Sequence, residues 1–86
     1  MNEANRSISD CIREQLNTHR SLEGAVLYTI VRDQSNNQYN RQFPDLYHAE
    51  VQVLIEKNEI HFEERGEYFS AGKWHKSGVY SLVISE

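Results

Sequence analysis

The sequence predicts an α+β fold, in which an N-terminal helix packs on an antiparallel sheet of about four strands. Three patterns lead to this prediction: an apolar stripe at helical spacing in residues 7–20, a β-branched and aromatic segment at 25–32, and alternating apolar and polar residues at 49–64. The 86 residues suffice for one small domain, residues 1–86. Because such a small domain buries only about 60% of its unfolded surface, we expect modest stability.

The first helix is predicted over residues 7–20. Apolar side chains from Ile8 to Leu16 recur at intervals of three and four, which places them on one helical face. Ser7 and Asp10 have the spacing of a Ser-x-x-acid capping box at a helix N-terminus. We therefore expect this helix to begin near Ser7 and to bury one face.

The segment "GAVLYTIVRD" is apolar on both faces of an extended chain, which predicts a central strand over residues 25–32. A further strand is predicted at 79–85, where Tyr80, Leu82 and Ile84 would lie on one face of an extended chain. One helix of some four turns covers only one face of the sheet. We therefore expect the second face to meet a protein partner or a second copy of the chain, as in a homodimer.

The stretch "AEVQVLIEKNEIHFEE" predicts a β-hairpin over residues 49–64. With Lys57-Asn58 as a two-residue turn, Ile55 lies opposite Ile60, and Val53 lies opposite Phe62. A single register then places these four apolar side chains on one face, which is typical of a hairpin with one buried side. A helix fits less well, since Leu46, Ala49 and Val53 would lie away from its apolar stripe.

The net charge of −4, from 13 acidic and 9 basic residues, argues against a non-specific nucleic-acid binder, which needs cations to displace phosphate counterions. Residues 56–67 hold five of the acidic side chains against two basic ones. The chain contains neither a phosphate-binding glycine loop nor a nucleophilic serine motif, so we expect no enzyme and no cofactor. The single cysteine, Cys11, lies on the first apolar stripe, where we expect it to be a small core residue.

The four histidines are not spaced as metal ligands, so we expect no bound metal. The tripeptide "HAE", His48 to Glu50, is similar to the first half of the zinc cytidine-deaminase signature. That resemblance implies a zinc-binding His48 and a proton-shuttling Glu50. The signature also needs a later Cys-x-x-Cys pair, and no cysteine follows Cys11. We therefore expect His48 and Glu50 to lie on a solvated strand face.

The run from "VLIEKNEIHF" to "GVYSLVIS" resembles a winged-helix recognition helix that continues into its wing. This resemblance implies an alternative function, a DNA-binding transcriptional regulator with residues 46–57 as recognition helix and residues 60–84 as wing. The basic and aromatic loop at 73–76 would then reach DNA. A helix at 46–57 favours this alternative, whereas a strand there favours protein binding.

The function we expect is protein binding by a small acidic factor of the inhibitor, immunity or anti-host type, in a bacterial or phage setting. No apolar run is long enough to span a membrane, and residues 1–10 lack the features of a signal peptide, so we expect a cytoplasmic protein. A tryptophan in a glycine-bounded loop is a candidate binding anchor. The residues expected to contact the partner are this tryptophan and its charged neighbours: Trp74, Lys73, Lys76, Glu59, Glu63, Glu64 and Glu67.

Overall fold

The computed structural model describes residues 7–83, which form three helices and a three-stranded antiparallel sheet. In chain order, the elements are α1 (Ile8–His19), β1 (Ser21–Glu23), α2 (Gly24–Gln34), α3 (Phe43–Glu56), β2 (Ile60–Ser70) and β3 (Lys73–Leu82). The strand order in the sheet is β1-β3-β2. The α+β class and the antiparallel sheet are thus as predicted, but the sheet has three strands, not about four.

Helix α1 forms where the Ser7 cap and the apolar stripe predict it. The Asp10 backbone N–H donates to the Ser7 hydroxyl at 3.0 Å, which satisfies one of the free donors at the helix N-terminus. Cys11, Ile12 and Leu16 are buried along one face. This face packs against α2, α3 and β3, so α1 contributes to the core of the whole domain.

The prediction of a central strand at residues 25–32 is wrong, because this segment is helix α2. Leu27 and Val31 are its buried residues, and their spacing of four puts them on one helical face. Val26, which a doubly buried strand would have enclosed, is 41% exposed. Packing against α1 outweighs the β-branched composition here. The homodimer was expected because a strand at 25–32 would be apolar on both faces, and this segment is not a strand. The homodimer therefore stays a prediction.

The predicted hairpin over residues 49–64 is also wrong, since its first half belongs to helix α3. Pro44 lies in the first turn, where its missing N–H and fixed φ suit a helix start. Tyr47, Val51 and Leu54 are buried at helical spacing. Val53, expected in the core, is 39% exposed. His48 and Glu50 accordingly lie on a helix and not on a strand.

The hairpin of this protein is instead made by β2 and β3. Its two-residue turn is Ala71-Gly72, with φ of 53° and 80°, as a type I′ turn requires. Arg65 is an extra residue in β2, where the register shifts between Glu64 and Gly66. The strand predicted at 79–85 is present as far as Leu82 within β3, and residues 84–85 lie outside the described part of the chain.

The core lies between the three helices and the base of the hairpin. Tyr28, Phe43 and Tyr47 form a group of aromatic rings with centroids 5.1 to 5.7 Å apart. Ile60, the first residue of β2, belongs to the same core. A helix over most of residues 46–57, followed by a long hairpin, is the arrangement that the winged-helix resemblance implies.

Candidate functional site

Six of the seven residues expected to contact a partner lie on the β2–β3 hairpin. Its outer part, residues 66–77, is called the hairpin tip below. Trp74 is 66% exposed and lies across from Phe69, with the ring centroids 5.4 Å apart. The next pair, Tyr68 and His75, is stacked at 5.2 Å. Successive pairs point to opposite faces of a strand pair, so the hairpin tip presents aromatic rings on both sides.

The charges of the hairpin largely neutralise one another. The Lys76 ammonium lies 3.6 Å from the Glu64 carboxylate, and the Arg65 guanidinium lies 3.4 Å from that of Glu63. Glu67 is the cross-strand neighbour of Lys76, and Lys73 pairs with Ser70 beside the turn. Because these ion pairs are exposed, each contributes little stability, and their side chains can exchange partners readily.

Glu59 lies apart from the hairpin tip, just before β2. Its carboxylate accepts a hydrogen bond from Arg13 Nε at 2.9 Å, while Arg13 Nη1 donates to Asp10 at 3.1 Å. This hydrogen bond from Arg13 to Glu59 is the main cause that raises the pKa of the Arg13 guanidinium. Glu59 thus joins the end of α3 to α1, and the structure does not bring it together with Trp74.

Helix α3 exposes an apolar stripe that the sequence analysis did not assign to a site. Leu46 is 45% exposed, Val53 is 39% exposed, and Ala49 lies exposed between them. Their spacing of three and four aligns them along the helix. These three residues are called the α3 outer face below. Its surroundings are acidic, because α3 carries three carboxylates, of Asp45, Glu50 and Glu56, and no lysine or arginine.

A cleft of about 980 Å³ opens between the first turns of α2 and α3 and one face of the β2–β3 hairpin. It is called the aromatic cleft below, because five tyrosine and phenylalanine side chains contribute to its wall. Tyr28 and Tyr47 come from the helices, and Phe62, Tyr68 and Tyr80 come from the hairpin. Polar groups complete the lining, from Glu23, Thr29, His48, Arg65, Lys76 and Ser77.

The Tyr47 hydroxyl is a buried polar group that has no hydrogen-bond partner among the described residues, and the residue is only 3% exposed. Burial raises the pKa of Tyr47 strongly, and the neighbouring Tyr80 and Tyr28 raise it further. Burial also raises the pKa of Tyr80. Both phenols consequently keep their protons at neutral pH and can donate hydrogen bonds.

No protein-family model, curated protein or solved structure matches this chain. Within residues 7–83, no helix is both long and apolar enough to cross a membrane. The same residues contain no group of three or more histidine, cysteine, aspartate or glutamate side chains that could hold a metal ion.

The aromatic cleft could not be predicted from the sequence, because its five rings come from four different elements, α2, α3, β2 and β3. The α3 outer face, by contrast, had a signal in the sequence. Leu46, Ala49 and Val53 were the residues that counted against a helix at this position, since they lie away from its apolar stripe. They are the exposed apolar residues of that helix.

Proposed function

We propose that this protein is a non-enzymatic winged-helix domain that binds another protein through the α3 outer face, as a factor of the inhibitor or immunity type. The observation that carries the proposal is the exposed apolar stripe Leu46-Ala49-Val53 on the helix that precedes the hairpin. Amphipathic helices commonly dock such stripes into apolar grooves of partner proteins.

The chemistry of α3 suits a protein groove better than DNA. A recognition helix in the major groove uses long basic or amide side chains on base edges, together with cations near phosphates. On α3, Gln52 and His48 are the exposed side chains of suitable polarity, and no basic residue accompanies them. Asp45 and Glu56 would repel the phosphate backbone.

The expected partner has an apolar groove with a basic rim. The three carboxylates around the α3 outer face supply the complementary charge. A second copy of this chain suits the face poorly, because antiparallel packing of two α3 helices would bring Asp45 of one copy close to Glu56 of the other. The hairpin tip offers a second anchor in Trp74, which is a residue type enriched at binding hot spots.

Affinity capture with chemical cross-linking from an extract of the native host tests this proposal. Leu46→Asp and Val53→Asp should each weaken capture of a stoichiometric protein partner at least tenfold. Thr18→Asp adds the same charge at an exposed position of α1 and should leave capture unchanged. Circular dichroism should show that all three variants stay folded. Equal capture by all three would contradict the role of the α3 outer face.

A DNA-binding transcriptional regulator is the second candidate, and the arrangement of α3 followed by a long hairpin favours it. Lys73 and Lys76 are its main cations at the hairpin tip, and they can displace only about two phosphate counterions. Fluorescence anisotropy with duplex DNA should therefore show weak binding at about 150 mM salt, with a slope of log affinity against log salt near −2. Submicromolar binding with a steep slope would favour the regulator and contradict protein binding as the main function.

A further inference from the structure

We propose that the aromatic cleft binds a small molecule that joins an aromatic ring to an oxyanion, either a carboxylate or a phosphate. This site is separate from the α3 outer face, because the α3 residues that line it, Pro44, Tyr47 and His48, lie on the opposite side of the helix. The proposal rests on three features: the aromatic walls, the two cations in the lining of the cleft, and the buried hydroxyl of Tyr47.

The walls suit a planar ring. Tyr28 and Tyr47 contact each other edge to face at 5.1 Å on the helical side, and Phe62 and Tyr80 lie 4.8 Å apart on the hairpin side. Aromatic rings favour offset or edge-to-face contacts with a further ring. A cleft of about 980 Å³ lies within the size range of small-molecule sites in proteins.

The charge around the cleft suits an anion. Helix α2, of 11 residues, begins at Gly24 in the cleft wall, and Glu23 before it makes no side-chain capping bond. Free backbone N–H groups at such a helix start favour a negative ligand group. Arg65 and Lys76 place two cations in the lining, where Glu23 supplies the single carboxylate; their ion-pair partners, Glu63 and Glu64, lie outside the lining. Their ion pairs are exposed and long, at 3.4 and 3.6 Å, so both can turn to a ligand.

Tyr47 supplies the independent indication of a ligand. A hydroxyl that is buried without a hydrogen-bond partner is rare in folded proteins, because the desolvated group is destabilising. Tyr47 lines the cleft together with Tyr80 and Tyr28, and the Tyr28 ring centroid lies 5.1 Å from that of Tyr47. An acceptor oxygen of a bound carboxylate or phosphate would provide the missing partner.

NMR titration of the full chain labelled with ¹⁵N tests the proposal directly. The ring-and-anion probes are benzoate and phenyl phosphate, and their comparison distinguishes the two oxyanions. The controls are benzyl alcohol, which lacks the charge, and inorganic phosphate, which lacks the ring. We expect saturable shifts at the amides of Gly24, Ala25 and Tyr47, with at least one probe binding tenfold more tightly than either control. The absence of saturable shifts with both probes, or equal binding of the controls, would overturn the proposal.

A matched pair of variants isolates the hydroxyl. Tyr47→Phe should weaken binding of the tighter probe at least fivefold without lowering the melting temperature of the free protein. Tyr39→Phe removes a hydroxyl from a residue that is 98% exposed and should leave the affinity unchanged. The double variant Arg65→Gln and Lys76→Gln should also weaken the anionic probes, whereas binding of benzyl alcohol should not change. If Tyr47→Phe binds as tightly as Tyr39→Phe, the hydroxyl is not part of a ligand site.

Discussion

Val51 and Val53 provide a sharp test of α3, because a helix and a strand place them differently. Residues two apart share one face of a strand but are rotated by about 200° around a helix. In the structure, Val51 is 3% exposed and packs in the core, while Val53 is 39% exposed on the outer face. A charge at position 51 is therefore buried without a partner, whereas a charge at position 53 reaches solvent.

The expected magnitudes differ widely. Val51→Asp loses the burial of a valine, about 1.5–3 kcal/mol, and adds the desolvation of a carboxylate, so we expect a total loss of about 4 kcal/mol or more. Val53→Asp should change the free energy of unfolding by only about 0.5 kcal/mol, as is usual for surface substitutions. Urea denaturation followed by circular dichroism measures both values. Equal losses would refute the helical placement of these residues and restore the hairpin over residues 49–64.

Three further predictions concern the hairpin and the cleft. Tyr47→Phe should raise the free energy of unfolding by about 1 kcal/mol in the absence of ligand, as measured by urea denaturation, because it removes an unpaired buried hydroxyl. Gly78→Ala should lower it by about 2 kcal/mol in the same assay, because a Cβ atom there would overlap the Glu63 backbone carbonyl oxygen and the Phe62 ring. Folding raises the pKa of Tyr47 and Tyr80, so their contribution to stability is complete below the unfolded pKa of about 10 and falls as the pH rises further. Stability measured between pH 9 and 12 should therefore fall less in Tyr47→Phe than in the unchanged protein.

Helix α1 and the last strand could be predicted from the sequence, because local signals determine them. The Ser7 cap and the buried stripe from Cys11 to Leu16 act within one helix. The apolar alternation near Val79 falls within β3. In both segments, the local pattern and the packing of the whole domain favour the same structure.

Helices α2 and α3 could not be predicted in this way, because the spacing of their apolar residues is compatible with both a helix and a strand. Leu27 and Val31 are four positions apart, as in a helix, but the β-branched residues around them favour a strand when packing is ignored. In α3, Ala49, Val51, Val53 and Ile55 alternate like a strand, although only Val51 is fully buried. Val53 lies at the surface. Sequence periodicity cannot show this, because an exposed apolar residue contributes to the pattern in the same way as a buried one.

The candidate sites were predictable only in part. Trp74 stood out as a lone tryptophan between glycines, and the structure places it at the exposed hairpin tip. The aromatic cleft depends on Gly24, Tyr47 and Tyr80 coming together from distant parts of the chain. Such a juxtaposition follows from the topology, and no short sequence motif encodes it.

Site-specific photo-cross-linking from the α3 outer face tests the central claim most directly. A p-benzoylphenylalanine introduced at Ala49, in the middle of the apolar stripe, should yield one dominant protein adduct when the domain is irradiated in extract of the native host. The same group at the exposed Thr18 of α1 should not yield that adduct. A nucleic-acid adduct at position 49, or identical adducts at both positions, would contradict protein binding through α3.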